Sequence, residues 1–535
     1  MRTSRRSLLA AGAAVGAGAG LAALPSAARA TSPTTPATTA EEVRVLVIGS
    51  GFGGGVTALR LAQAGVPVTV LERGRRWETG PDAETFPHAS SPDKRLLWYG
   101  TTPEAARPLQ QLLGKPIDMT PYVGLVEPVL GVNMLAMCAA GLGGGSLVYQ
   151  GMTLQPAKDV FNELLPEQLD YVQMDATYYP RVARMLQVET APDELIDSPT
   201  YLAPRTFKKR AERAGYTVEK IPMPIDWTYA LDEVAGEMKP SYTNGDCAMG
   251  VNNGGKHSVD VTYIKQAEAT GLVDVRIQHN VTRIEQAGDG RWTVYADRTD
   301  EAGTVLEHVV ITAKSLVMAA GSLNTSKLLL KAKADGAMPS LPDGIGEGWG
   351  TNGDRIYAWT DLQTDFGAAQ GGPVIYGSKE WADPSVANTI IQASLPPMQG
   401  LDTHTTMLVG FGASQGRGRF LHDALTGEVT LHWPKLGDQQ VHTRIAERLA
   451  RVVGLTGGLI DTYAIVPSTW HPLGGANMGT VCDLEGRVKG NPGLYVLDGA
   501  LIPGSTGACN PSMTIAAVAE RALDRIVKDD VGTLI

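Results

Sequence analysis

Residues 43–72 constrain the fold of this chain more than any other stretch. They read VRVLVIG, a glycine cluster, TALRLAQAG and VPVTVLE. A buried strand, a helix and a second strand make a β-α-β unit of about 30 residues. Gly49-Ser50-Gly51-Phe52-Gly53-Gly54 stands at the strand-to-helix turn as G-x-G-x-x-G. Gly49 permits the tight turn, Gly51 lets a pyrophosphate approach the backbone, and Gly54 lets the helix pack on the strand. The helix N-terminus then turns its positive end to the phosphates. Glu72 closes the second strand, where an acid accepts from a ribose hydroxyl.

These features predict a dinucleotide site, and an acid where a base would be needed for a 2′-phosphate disfavours NADP. FAD and NAD both satisfy the fingerprint. A second cluster, Gly141-Leu142-Gly143-Gly144-Gly145, and the late pair Asp498-Gly499 suggest further backbone contacts along an extended cofactor, which favours FAD. The chain holds 62 Gly in 535 residues, where average usage gives roughly 37. Close approaches of backbone to one cofactor account for much of that excess.

The remaining texture places this unit in a larger frame. Ser4-Arg5-Arg6-Ser7-Leu8-Leu9, a weakly apolar Ala/Gly run and Ala28-Arg29-Ala30 read as a twin-arginine export signal over 1–30. The run is short for a membrane span and is broken by glycines. Residues 31–42, Thr/Pro-rich, read as a flexible lead-in. Without 1–30 the 46 Lys and Arg fall to 42 against 56 acids, a net charge of −14. An acidic chain with no basic block argues against nucleic acid and anionic membranes as partners. Cys138, Cys247, Cys482 and Cys509 lie far apart without CxxC spacing, so no metal site is expected. Their pairing is left open.

Residues 77–130 are Pro-rich and irregular, and 157–215 carry a mostly helical pattern. Several strands follow from Val273 to Ala320 (VDVRIQ, TRIEQ, WTVYAD, HVVIT, SLVMAAG), ending in the helix SLNTSKLLLKAK. Residues 351–465 alternate short strands and turns, and LYVLDG then SMTIAAVAERALDRIV return to strand and helix. The expected fold is therefore α/β: a discontinuous Rossmann-type FAD-binding domain (43–80, 257–350 and 486–535) and an inserted α+β substrate-binding domain (81–256 and 351–485) containing a mixed sheet.

The fingerprint, GLGGGSLVYQGM, LVMAAGSLNTSKLLL and the terminal run HPLGGANMG…LYVLDGALIPGSTGACNPSMTIAAVAERA resemble the glucose-methanol-choline (GMC) oxidoreductases. Trp77 with Gly80-Pro81-Asp82, PDKRLLWYG, NNGGKHSVDVTYI and GEGWGTNGD resemble the bacterial cholesterol oxidases within that family. The likeness runs in one register from about Val43 to the C-terminus. It implies FAD held non-covalently and oxidation of an alcohol with O2 as acceptor. It implies that His471 binds the substrate hydroxyl and assists its deprotonation, which eases hydride departure from the carbinol carbon. It sets Asn510 against both flavin and hydroxyl. Asn510 also precedes Pro511 at a helix start, where an N-cap is the plainer reading. Along the cofactor the resemblance sets Gly49, Gly51, Phe52, Gly53, Gly54, Glu72, Gly145, Tyr149, Gln150, Met152, Val281, Asp498, Gly499, Asn510 and Ser512.

Three departures bear on function. Gln392 stands where the steroid enzymes carry the glutamate that moves a proton from C4 to C6, and an amide is no base. Asp402 replaces it only if its loop comes near. Tyr149-Gln150 stands at the usual Asn-Gly beside the flavin, and Ser512 at a usual aromatic residue. The expected function is FAD-dependent oxidation of a sterol 3β-hydroxyl, with isomerisation weak or absent. Two alternatives are a GMC oxidase or dehydrogenase of another bulky hydrophobic alcohol, and a catalytically weak lipid-binding flavoprotein. The expected partners are the small-molecule substrate and O2, with transient membrane contact, in a secreted monomer.

Overall fold

Val45, Leu46, Val47 and Ile48 are all buried, so the first strand has protein on both faces, the mark of a sheet covered by helices. In the computed structural model, which describes residues 36–396 and 403–535, this strand runs Ala37–Ile48. The export signal at 1–30 and Asp402 lie outside the described residues. Ala37–Ile48 is central in a seven-stranded sheet, ordered Val273–Arg276, Val68–Leu71, Ala37–Ile48, Val305–Met318, Trp292–Thr299, His279–Gln286, with Leu494–Val496 also on Val305–Met318. Pairing is parallel through Val273–Arg276, Val68–Leu71, Ala37–Ile48, Val305–Met318 and Leu494–Val496. It is antiparallel through the other two strands. The helix Phe52–Gln63 makes the crossover. Beside it runs Pro511–Asp529, bridged by Arg60 to Glu520 (3.0 Å) and Asp524 (2.5 Å).

The flexible lead-in expected over 31–42 is corrected for its described part. Residues 37–42 extend the first strand, pairing with 307–312. The Thr/Pro composition misleads because a long partner strand supplies the hydrogen bonds that decide the conformation. HVVIT and SLVMAAG, expected as separate strands, are one strand, Val305–Met318. Its length lets it pair with Ala37–Ile48 on one side and with two successive strands on the other.

A second sheet has six strands, all antiparallel: Gly458–Asp461, Arg355–Thr360, Thr405–Gly412, Asn388–Ala393, Tyr376–Glu380, Glu219–Lys220. The mixed pairing expected beside the first sheet occurs in a smaller one, where Met134–Ala139 pairs parallel with Ser468–Thr469 and antiparallel with Val126–Gly131. One face of the six-stranded sheet carries a helix absent from the strand-and-turn expectation, Gln439–Val453. Val441, Ile445, Leu449 and Val452 are buried, a helical spacing that is legible in QVHTRIAERLARVV. At Gly410 an added Cβ would collide with Ile445, so Gly410 faces this helix and Phe411 faces the opposite way. All described residues from Ala37 to Ile535 make one compact unit.

Residues 77–130 are less irregular than expected: they contain the helix Pro103–Leu113, capped by Thr102 Oγ1 accepting from Ala105 N–H. Their irregular part is tied down by Trp77 stacked on Phe86 (5.2 Å) and by Phe86 N–H donating to Asn252 Oδ1 at 2.8 Å. His88 adds a charged tie, bonded through Nδ1 to Asp246 and through Nε2 to Glu84 at 2.8 Å. The bond to Asp246 raises the His88 pKa from 6.5 to about 9, against partial burial. The imidazolium therefore lends stability in full below pH 6.5 and loses it as pH rises through about 9. Unfolding measured from pH 6 to 10 should show wild type losing its advantage over His88→Gln across that window. A constant gap would exclude the charged tie.

Candidate active site

The N-terminus of Phe52–Gln63 opens the site. Gly51 is its N-cap residue and no side chain caps it, so the first N–H groups of the helix lack partners from a cap. The glycines there have distinct reasons. An added Cβ at Gly53 would collide with the Leu497 carbonyl, and one at Gly54 with the Gly49 carbonyl. Helix, loop and strand 494–496 thus close up around them. At Gly51 and Gly145 an added Cβ would meet nothing within 4 Å. Those two positions border empty space.

That space is a cavity of about 410 Å³. It is lined by Gly49, Gly51, Phe52, Gly53 and Glu72 from the fingerprint unit, and by Gly145 and Tyr149 from the second cluster. Val281, His471, Asp498, Gly499, Asn510 and Ser512 complete the expected residues found in its wall. Gly54, Gln150 and Met152 do not line it. Gly54 packs inward, and Met152 belongs to the core beneath the six-stranded sheet. Gln392 is corrected more sharply. Its Nε2 donates to the Ala393 carbonyl (2.7 Å) and to Thr406 Oγ1 (3.1 Å). Cross-strand neighbours share a face, and Gln392 opposes Leu408, two residues from Gly410 and so on the face of Gln439–Val453. The site-facing neighbours in that strand are Ile391 and Ala393, which carry no base.

Glu72 accepts from Ser50 Oγ (2.5 Å) and from Gly74 N–H (2.8 Å), leaving lone pairs free. Beside it Arg73, also in the wall, is engaged by Glu127 at 2.6 Å and lies 4.8 Å over Trp98. Asp498 accepts from Gly321 N–H, Thr325 Oγ1 and Ala500 N–H, while burial pushes its pKa up to about 6. Asn510 is the N-cap residue of Pro511–Asp529 yet its side chain caps nothing. Its Oδ1 is buried without a partner, as is Tyr149 Oη. Both residues are in the cavity wall.

His471 is buried, edge-on to Phe411 at 5.9 Å, and its Nδ1–H donates to Asp354 Oδ1 at 2.6 Å. Asp354 Oδ2 accepts from Thr469 Oγ1 (2.6 Å), Trp470 N–H (3.1 Å) and His471 N–H (3.2 Å). With the Nδ1 proton held by a carboxylate, Nε2 carries the free lone pair. Asp354 is a residue of the candidate site that the sequence pattern does not single out, although it ends the segment GEGWGTNGD. Two residues earlier, Asn352 Oδ1 accepts from Ser505 Oγ and Thr506 N–H (both 2.9 Å). Asn352 Nδ2 donates to the Cys509 carbonyl at 2.8 Å. One turn, Thr351–Asp354, therefore holds the segment carrying His471 and the segment delivering Asn510. The four cysteines are free thiols, Cys247, Cys482 and Cys509 buried among them.

Comparison with known proteins bears on this arrangement. The family described as GMC oxidoreductase matches residues 43–341 with its N-terminal part and 457–519 with its C-terminal part. A cholesterol oxidase of Mycobacterium tuberculosis is 30% identical over 559 residues, covering 89% of this chain and 90% of that protein. A cholesterol oxidase of Acinetobacter baumannii is 25% identical, covering 90% of this chain and 94% of the other. Among solved structures, pyridoxine 4-oxidase from Mesorbium loti superposes with a TM-score of 0.61 at 14% identity, covering 90% of this chain and 99% of its own. That last likeness is one of fold.

Asn352→Ala should show how far the turn supports the site. It strips buried partners from Ser505, Thr506 and the Cys509 carbonyl, at roughly 1–3 kcal/mol for each group left unpaired. Denaturant unfolding should move to a clearly lower midpoint. An unchanged midpoint would remove Asn352 from the support of Asn510.

Proposed function

Because the chain belongs to the GMC oxidoreductase family, we propose that it oxidises a sterol 3β-hydroxyl, as in cholesterol, to the ketone, with FAD as cofactor and O2 reduced to H2O2. Similarity over nearly the whole chain to two cholesterol oxidases supports the substrate class. One observation carries the chemistry: a histidine tied through Nδ1 to a buried carboxylate, in the wall of a cavity that the dinucleotide fingerprint also lines.

The residues present fit FAD. The open space beside Gly51 and Gly145 leaves room for a pyrophosphate against backbone N–H groups. Glu72 has lone pairs to accept from a ribose hydroxyl, and an acid at the end of that strand argues against a 2′-phosphate. Tyr149 Oη and Asn510 Oδ1, buried and unmatched, are atoms that a bound ligand completes. FAD, when bound, supplies the hydride acceptor and the route of electrons to O2.

His471 does the proton chemistry. Its Nε2 accepts the substrate hydroxyl proton while the carbinol C–H leaves as hydride, so the alcohol becomes a ketone. Asp354 holds the ring in the tautomer that makes this possible and stabilises the imidazolium that forms. Asn510 holds the hydroxyl end of the substrate. No isomerisation to the Δ4-3-ketone is proposed, because Gln392 is an amide on the far side of its sheet. Tyr149 and Ser512, both in the cavity wall, favour, as a second reading, a GMC oxidase or dehydrogenase of another bulky hydrophobic alcohol.

Without air, sterols with a 3β-hydroxyl should bleach the flavin absorbance, and in air they should release H2O2 without prompt appearance of the conjugated enone band. Asp354→Asn should lower kcat/KM by about 10²–10⁴-fold, in the range of lost general-base catalysis. Bleaching by other bulky alcohols but not by sterols moves the substrate to the second reading. A bound flavin that no alcohol bleaches leaves only a lipid-binding flavoprotein.

Export by the twin-arginine route is also proposed, on the Ser4–Leu9 pattern and the Ala28-Arg29-Ala30 site. That route carries folded proteins, which suits a chain that takes its cofactor before export. Protein recovered from culture medium should begin at Thr31. Retention of Met1 on cell-associated protein alone would sink the idea.

A further inference from the structure

Lys256 is a buried lysine whose Nζ is held by backbone carbonyls and by no acid among the described residues. Its Nζ donates to the carbonyls of Leu147 (3.0 Å) and Tyr149 (2.5 Å), and only 7% of the residue is exposed. Among the described residues its ammonium makes no ion pair. Other buried charges are answered: Glu233 accepts from Tyr242, Thr243 and Asn253, and Arg448 meets Glu380 at 3.1 Å. A lone buried ammonium is costly unless something compensates it.

Position suggests what does. The Nζ lies 4.8 Å from the Tyr149 ring centroid. Tyr149 lines the cavity and meets Phe52 edge-on at 5.7 Å. Lys256 thus stands one aromatic ring behind the cavity wall. Its two carbonyl partners close the second glycine cluster, whose Gly144 and Gly145 line the same wall.

We propose that Lys256 is a positioning residue for charge, whose ammonium balances the negative charge that the hydride brings to the cofactor. The inference rests on the flavin-dependent reading above. In each turnover the substrate C–H hydrogen would leave with its electron pair as hydride to the cofactor, and the hydroxyl proton would go to His471. The cofactor gains one negative charge, and a proton from solvent completes the Lys256 ammonium where it was absent.

Such uptake requires a lysine that is often neutral before reduction. Burial pulls the Lys256 pKa down from 10.5 to about 7, with Cys247 and Asp260 pulling the other way. The titratable groups facing it are few. Asp260 is bonded to Ser258 Oγ, and burial pushes the Cys247 thiol up to about 11 and the Tyr149 phenol higher still.

The test is the flavin midpoint potential of the holoenzyme from pH 5.5 to 9, for wild type, Lys256→Met and Lys256→Arg. Wild type should show a steeper fall with pH above about 7, one extra proton being taken up on reduction. Lys256→Met should lose that break, and at pH 5.5 its reduction equilibrium against a reference dye should lie at least about tenfold toward oxidised, the size of a one-unit charge effect. Lys256→Arg should keep the wild-type equilibrium at pH 5.5 and lose the break, since guanidinium stays charged. It carries the test alone if the methionine variant does not fold. Potentials that are the same in wild type and in every variant that folds, across the range, overturn the assignment to Lys256. A wild-type protein purified with no flavin spectrum overturns the cofactor reading and this inference with it.

Discussion

The bond from His471 Nδ1–H to Asp354 Oδ1 is the constraint on which the candidate site depends. A buried carboxylate is tolerable only when its lone pairs are used, and Asp354 uses its own on the hydroxyl of Thr469 and two backbone N–H groups as well. Those donors all come from the strand end that carries His471. The carboxylate therefore fixes the path of the backbone and the face of the ring together. Its neighbour Asn352 does the same for the segment 505–509. The two polar side chains that would meet a substrate hydroxyl are thus placed from one turn, although they are separated by some forty residues of chain.

The cavity wall divides its charge in a consistent way. Two acids in the wall accept from neighbouring donors, Glu72 from Ser50 and Gly74, and Asp498 from Gly321, Thr325 and Ala500. Asn510 Oδ1, Tyr149 Oη and Arg73 Nη2 are uncommitted polar atoms of residues in the wall. Lys256, whose Nζ donates to backbone carbonyls, lies just behind it.

Much of this is legible in the amino-acid sequence. The fingerprint glycines are required by local geometry: Gly53 and Gly54 face backbone carbonyls that leave no room for a Cβ. Motif and conformation are one fact there, so reading the first predicts the second. His471 and Asn510 are legible through resemblance, not through pattern. Asn510 also shows where pattern misleads, since an Asn before Pro at a helix start reads as a cap, yet its side chain bonds no helix N–H. Gln392 is misplaced by sequence reasoning because an aligned position does not say which face of a strand it takes. A one-residue shift reverses every side chain in the strand, and only the register against Leu408 decides it. The helix Gln439–Val453 escapes notice although its apolar spacing is plain, because short strands on both sides set the expectation.

By itself, then, the sequence determined the dinucleotide-binding unit, the family resemblance and the residue types available for chemistry, because each depends on contacts among near neighbours or on whole motifs. Only the tertiary structure decided that Asp354 orients His471, that Gln392 turns away, and that Lys256 stands behind Tyr149 on backbone carbonyls. Each of these couples residues more than a hundred positions apart or depends on strand register. Hydrogen bonds of that kind are set by how sheets and loops pack, and no local pattern in the chain encodes them.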